Sequence, residues 1–132
     1  MNGIYIPIKT GTLLMPSGTE NNPDLKHLFI ICTDADGTGQ HLLVNVTTWR
    51  NDFCDPSCIL EADTHEFITA KSYILYRKAR IETAQTLLNG VQNGTFFPKE
   101  CLEQEHFENV CKWIVLSPHT PRGIKQYYLD VT

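Results

Sequence analysis

The run His41-Leu42-Leu43-Val44-Asn45-Val46-Thr47-Thr48-Trp49 reads as one strand with two unlike faces. Side chains alternate along a strand. Leu42, Val44, Val46 and Thr48 therefore share one face, and Leu43, Asn45, Thr47 and Trp49 share the other. The first is a core face. The second turns polar and aromatic towards its end, which a purely structural strand does not require. Just upstream, Leu28-Phe29-Ile30-Ile31-Cys32 is apolar on both faces and is expected as a central, buried strand. Asp34-Ala35-Asp36-Gly37-Thr38-Gly39 lies between the two and predicts a hairpin turn.

The rest of the first eighty residues has the same texture of short strands and turn residues. Gly3 to Lys9 alternates weakly, Gly11 to Met15 is a short apolar run, and Pro16 to Asp24 is a turn-rich loop. Cys58-Ile59-Leu60 is a further short strand. Tyr73 to Ile81 reads as one more, rich in Tyr, Ile, Leu and cations.

The last third reads as helical. A helix starts at Thr83 and ends at Gly90 or at Asn93-Gly94. Pro98 suits a first helical turn. Leu102, Phe107, Val110, Cys111 and Ile114 follow on one helical stripe, with Glu100, Glu103 and Glu105 near its N-terminal end, where the dipole favours them. Ser117-Pro118 stops it, and Thr120-Pro121-Arg122 opens a final helix carrying Ile124, Tyr127, Tyr128 and Leu129. Strands first and helices after give an α+β class, with a small, mostly antiparallel, barrel-like sheet over about 3–82 and helices over about 83–130, in a single domain of residues 1–132.

With 132 residues, 42% apolar, 20% charged and 10% aromatic, the chain has a globular composition, not that of a disordered tail, a rod or a coiled coil. No apolar run reaches the length of a membrane span. Met1-Asn2-Gly3-Ile4-Tyr5-Ile6-Pro7 lacks the pattern of a secretory signal. Cys32, Cys54, Cys58, Cys101 and Cys111 are scattered and odd in number, as expected of free thiols in a reducing cytoplasm. The net charge of −4 is unevenly spread. Residues 1–70 hold three basic and nine acidic groups, and residues 71–132 hold eight and six, which sum to the 11 and 15 of the whole chain. Between Lys71 and Arg80 four cations stand with no carboxylate. An acidic protein can thus own one basic strip.

These segments, in this order, resemble the PemK/MazF family of toxins from bacterial toxin–antitoxin modules. Lys26-His27-Leu28-Phe29-Ile30-Ile31-Cys32-Thr33-Asp34 is similar to a family strand that opens Arg-Pro and ends Ser-Asn-Asp. Asn45-Val46-Thr47-Thr48 occupies the place of a hydrophobic residue followed by Thr-Ser. Ser72 to Ile81 is similar to Ser-x-Val-x-Cys-Asp-x-Ile-Arg, and Gly11 to Gly18 resembles the first strand and loop. The resemblance spans roughly residues 10 to 116. It implies an SH3-like barrel of the CcdB/PemK/MazF kind and a cytoplasmic, metal-independent endoribonuclease that cuts single-stranded RNA without a cofactor. It also implies a homodimer neutralised by a cognate antitoxin. Phe96, Phe97 and Tyr128 are the apolar residues available for that dimer. A non-catalytic binding module on the same barrel is the other reading.

Cleavage by the neighbouring 2′-hydroxyl needs proton transfer and stabilisation of the phosphoryl charge. Lys26 takes the place of the family arginine and supplies a cation; its plain alternative is a solvated lysine. Thr47 matches the family threonine and offers a hydroxyl, or is there for strand propensity. His65, two residues after Asp63, is the acid/base candidate, with His27 its competitor. Lys26, Thr47 and His65 form the expected catalytic set. Asn45, Trp49, Arg77, Lys78 and Arg80 form the expected RNA-binding set, in which Trp49 stacks a base and alternation puts Lys78 and Arg80 beside Tyr76. The alternative for the strip is a charged, solvated edge strand. Cys54-x3-Cys58 followed by His65 supplies three ligands and no second pair, so no metal site is expected.

Overall fold

A computed structural model describes residues 5–17 and 25–132. The expected hairpin is its spine. Strand β2 (Lys26–Ile31) pairs antiparallel with β3 (Gln40–Thr48), Leu28 opposite Val46 and Ile31 opposite Leu43. In the turn between them the Asp36 carboxylate accepts from the Thr38 amide at 2.7 Å and the Gln40 amide at 2.9 Å. Gly39 takes a positive φ of 79°, which glycine adopts without strain.

Around that spine lie β1 (Thr12–Pro16), β4 (Ile59–Leu60), β5 (Ser72–Ile74), β6 (Arg80–Thr83) and β7 (Phe97–Lys99). All pairings are antiparallel. The order is β4-β5-β3-β2-β1-β7, with β6 also on β3. The α+β class stands, but the sheet is open: no pairing joins β4 to β7 among the described residues. The expected barrel is therefore corrected to an unclosed, seven-stranded sheet.

Three helices, α1 (Ala84–Gln92), α2 (Gln104–Leu116) and α3 (Arg122–Val131), complete the described fold. The two sheet faces carry separate cores. Leu28, Ile30, Leu42, Val44 and Val46 meet Phe107, Val110, Cys111 and Ile114 of α2, as the helical stripe predicts. Tyr127 ties α3 to the spine by donating from its hydroxyl to Asp36 Oδ2 at 2.6 Å. On the other face Leu13, Met15, Phe29, Ile31 and Leu43 meet Leu87 of α1.

Several expected elements are redrawn. Residues 5–9 of the expected Gly3–Lys9 strand form no strand, its residues 3–4 lie outside the described residues, and so do residues 18–24 of the loop. Pro98 sits in β7, not in a helical turn, because the chain after α1 returns to the sheet beside β1 before α2 begins. Phe96 packs into the α1 core and Tyr128 against the α2 core, so Phe97, 40% exposed, is the one of the three expected dimer residues left on the surface.

The most consequential change lies in Tyr73–Ile81. It is two strands, not one. Ile74 faces Val46 and Arg80 faces Leu43, so two residues of β3 (44–45) oppose five of the other chain (75–79). Those three extra residues coil into a 3₁₀ turn, Tyr76–Lys78. An odd excess reverses the alternation. Tyr76 enters the α2 core, fully buried, and donates from its hydroxyl to the Val110 carbonyl at 2.7 Å. Arg80 emerges on the opposite face, beside Leu43.

Gly90 of α1 has a packing reason. A Cβ there would stand 2.0 Å from the Phe96 ring. An alanine normally stabilises a helix by about 1 kcal/mol over glycine. Here Gly90→Ala is expected to destabilise by about 1–3 kcal/mol through overpacking, measurable by thermal or urea unfolding.

Candidate nucleic-acid groove

α1 packs through Leu87 on Leu13, Met15, Phe29, Ile31 and Leu43 of its sheet face. Phe29 also lines a groove of about 380 Å³ with Ser17, His27, Asn45, Thr47, Leu75, Lys78 and Arg80. Alternation along β3 delivers Asn45 and Thr47 to it, alternation along β2 delivers His27 and Phe29, and the 3₁₀ turn with its reversal delivers Lys78 and Arg80. Among the described residues the lining holds two cations and no carboxylate, although the chain carries net −4.

Each side chain has a defined setting. Ser17 Oγ and His27 Nδ1 are hydrogen-bonded at 2.5 Å. Burial, then the charge of Arg50, hold the His27 pKa below the ordinary histidine value, so the imidazole is neutral at pH 7. The Arg80 guanidinium donates to Glu82 at 2.9 Å and lies 5.2 Å from the Phe29 ring centroid, which orients its fork. Asn45 is only 7% exposed, and its Oδ1 has no partner among the described residues. A buried amide oxygen without a donor is uncommon, and this one belongs to a residue that lines a cavity.

The lowered pKa of His27 has a consequence for stability. The unfolded chain binds a proton near pH 6.5 and the folded chain binds it lower. In that window the unfolded state takes up more protons, so stability falls as pH drops below about 6.5. Urea unfolding at pH 7.5 and 5.5 is expected to show a loss in the wild type that His27→Gln lacks.

The structure thus brings together Asn45, Thr47, Lys78 and Arg80 of the expected residues and adds His27 and Ser17. It places the others elsewhere. Lys26 precedes His27 on β2, so alternation sends it to the α2 face of the sheet, where its Nζ lies 5.8 Å from the Phe97 ring centroid; it is outside the groove but lines, with His27 and Thr47, a smaller cavity of about 210 Å³. His65 is buried. Its Nδ1 accepts from the Phe67 amide at 3.1 Å and its Nε2 donates to the Glu100 carbonyl at 2.7 Å. Both ring nitrogens are occupied in tying a loop to the segment after β7, and neither is open for proton transfer. Arg77 lines a neighbouring cavity with Tyr73. Trp49 stands edge-on to Tyr73 at 5.7 Å, with the Lys71 Nζ 4.6 Å from its ring centroid. Tyr76, the expected stacking partner of Lys78 and Arg80, is in the core.

Sequence reasoning missed Ser17 and Arg50. Ser17 stands in a turn-rich loop where period carries no signal, and Arg50 follows the end of β3, where alternation stops being informative.

Among the described residues no group of three or more His, Cys, Asp or Glu is placed to hold a metal ion. No described helix is long and apolar enough to cross a membrane. Comparison with models of known families and with curated proteins gives no match for this chain.

Proposed function

We propose that the protein is a metal-independent endoribonuclease that cuts single-stranded RNA, and that it is the toxin of a type II toxin–antitoxin module of PemK/MazF kind. One observation carries the reading: a neutral histidine, a buried amide whose oxygen has no partner among the described residues, and two cations share one groove in which no described residue is a carboxylate. Hydrogen-bond acceptors and donors beside cations suit a polyanion that also presents hydroxyls and base edges. The kinship rests on the sequence resemblance; where that implies an SH3-like barrel, the chain has an open antiparallel sheet.

In this reading His27, oriented by Ser17, takes the proton of the 2′-hydroxyl. Asn45 Oδ1 receives a donor from the nucleotide, and Thr47 donates to a phosphoryl oxygen. Arg80 and Lys78 neutralise the charge that builds on the phosphoryl group, Arg80 through its planar fork. The Lys78 ammonium donates the proton of the leaving 5′-oxygen. Proton transfer and charge stabilisation then come from side chains, and cleavage is expected to persist in EDTA. A cognate antitoxin closes the groove, and exposed Phe97 contributes to a homodimer in the cytoplasm.

The test is expression in a bacterium without antitoxin, followed by mapping of RNA 5′ ends. Growth arrest with new RNA ends is the expected result. Normal growth with intact RNA at high expression would reject the nuclease and leave the non-catalytic binding module.

A further inference from the structure

A second cavity adjoins the groove. It encloses about 270 Å³ and is lined by Phe53, Asp55, Tyr73, Leu75, Arg77 and His119. Leu75 lines both spaces, and Tyr73 pairs with Thr47 of the groove. The volume lies just below that of drug-sized sites, which suits one planar ring system.

Its lining is specific. Phe53 is 99% exposed at the rim, an aromatic left in water with no packing role. Tyr73 is the second aromatic, braced by Trp49. Asp55 is only 7% exposed. Its Oδ1 accepts from the Ser57 amide at 2.8 Å and the Ser57 hydroxyl at 2.6 Å, with His119 Nε2 at 3.9 Å. Its Oδ2 is buried with no partner among the described residues. A buried carboxylate oxygen without a donor is costly, and an incoming N–H satisfies it. Arg77 and His119 stand at the same cavity as donors for acceptor atoms or a phosphate.

We propose that this cavity is a base subsite, and that it selects a nucleobase bearing an exocyclic amino group. It extends the RNA-cleavage reading and rests on it. Adenine, cytosine and guanine each present an amino N–H to Asp55 Oδ2, with ring or carbonyl acceptors for Arg77 and His119. Uracil presents carbonyl oxygens where those bases present the amino group; the negative ends of their dipoles repel the carboxylate, and N3–H is its one base donor. Phe53 and Tyr73 supply stacking faces.

The test measures binding of hexamers of 2′-O-methyl-adenosine, -cytidine and -uridine, which cannot be cut by 2′-hydroxyl attack. The wild type is expected to bind the adenosine and cytidine hexamers at least about tenfold more tightly than the uridine hexamer. Asp55→Asn keeps the shape, retains an acceptor for Ser57, and turns an N–H₂ donor into the cavity. It is expected to abolish or invert that ranking. Phe53→Ala, at a fully exposed position, is expected to fold normally and to weaken the adenosine and cytidine hexamers by about tenfold. Equal binding of all three hexamers by the wild type, no binding of any, or a ranking unchanged in a folded Asp55→Asn protein would overturn the subsite. Cleavage of ordinary RNA, assayed separately, judges the groove: cutting without base ranking rejects the subsite alone, and ranking without cutting rejects the nuclease alone.

Discussion

Replacing His27 with alanine is expected to slow RNA cleavage by about 10²–10⁴, the usual worth of a positioned proton-transfer group. The fold should survive, because His27 is only half-buried and among the described residues its side chain hydrogen-bonds only Ser17. Lys26→Ala and His65→Ala separate this account from the one the sequence suggests. Lys26 does not line the groove but shares a smaller cavity with His27 and Thr47, so its loss should slow cleavage far less than the loss of His27. His65→Ala should reduce stability by about 1–3 kcal/mol, because a buried ring that bridges the Phe67 amide and the Glu100 carbonyl is removed. The fraction that remains folded should cut at full rate. Initial rates on a single-stranded RNA, with folded protein quantified in parallel, check all three. A His27→Ala rate near wild type would remove the proposed base.

The largest expected stability effect is at Tyr76. Tyr76→Ala should cost about 3–5 kcal/mol, since a fully buried aromatic leaves a cavity between β3 and α2. Tyr76→Phe should cost about 1 kcal/mol, the net worth of the hydroxyl's bond to the Val110 carbonyl. Burial also drives the Tyr76 hydroxyl far above the ordinary phenol range, so it stays protonated at any working pH. Urea unfolding of both variants measures the two losses. A Tyr76→Ala protein as stable as wild type, but weak for RNA, would return Tyr76 to the role of a stacking platform.

That residue shows where sequence reading stops. The β2–β3 hairpin and the buried stripe of α2 are legible because each follows an unbroken period, two or 3.6, over many residues. The polar face of β3 is legible for the same reason, and Asn45 and Thr47 stand where alternation puts them. Tyr73–Ile81 has no such continuity. Nothing in its composition announces three extra residues opposite Val44 and Asn45, and an odd insertion exchanges the faces of everything that follows. Lys78 and Arg80 therefore reach the groove without Tyr76.

Lys26 and His27 illustrate a different limit. The family resemblance aligns Lys26 with a cationic position, but neighbours on a strand point to opposite faces. A one-residue offset in that alignment moves the reactive side chain from one side of the sheet to the other. His65 illustrates a third. Imidazole chemistry is equally suited to proton transfer and to bridging two backbone groups, and only burial distinguishes them.

The central claim is that the groove around His27 drives attack by a 2′-hydroxyl. Two single-stranded RNAs that differ by one 2′-deoxy nucleotide at the mapped cut position, incubated with the purified protein in EDTA, test it most directly. The expected result is cleavage of the all-ribo strand to a product ending in a 2′,3′-cyclic phosphate, and resistance at that position in the deoxy strand. Cutting of both strands at the same position, or a product with a 3′-hydroxyl, would contradict it.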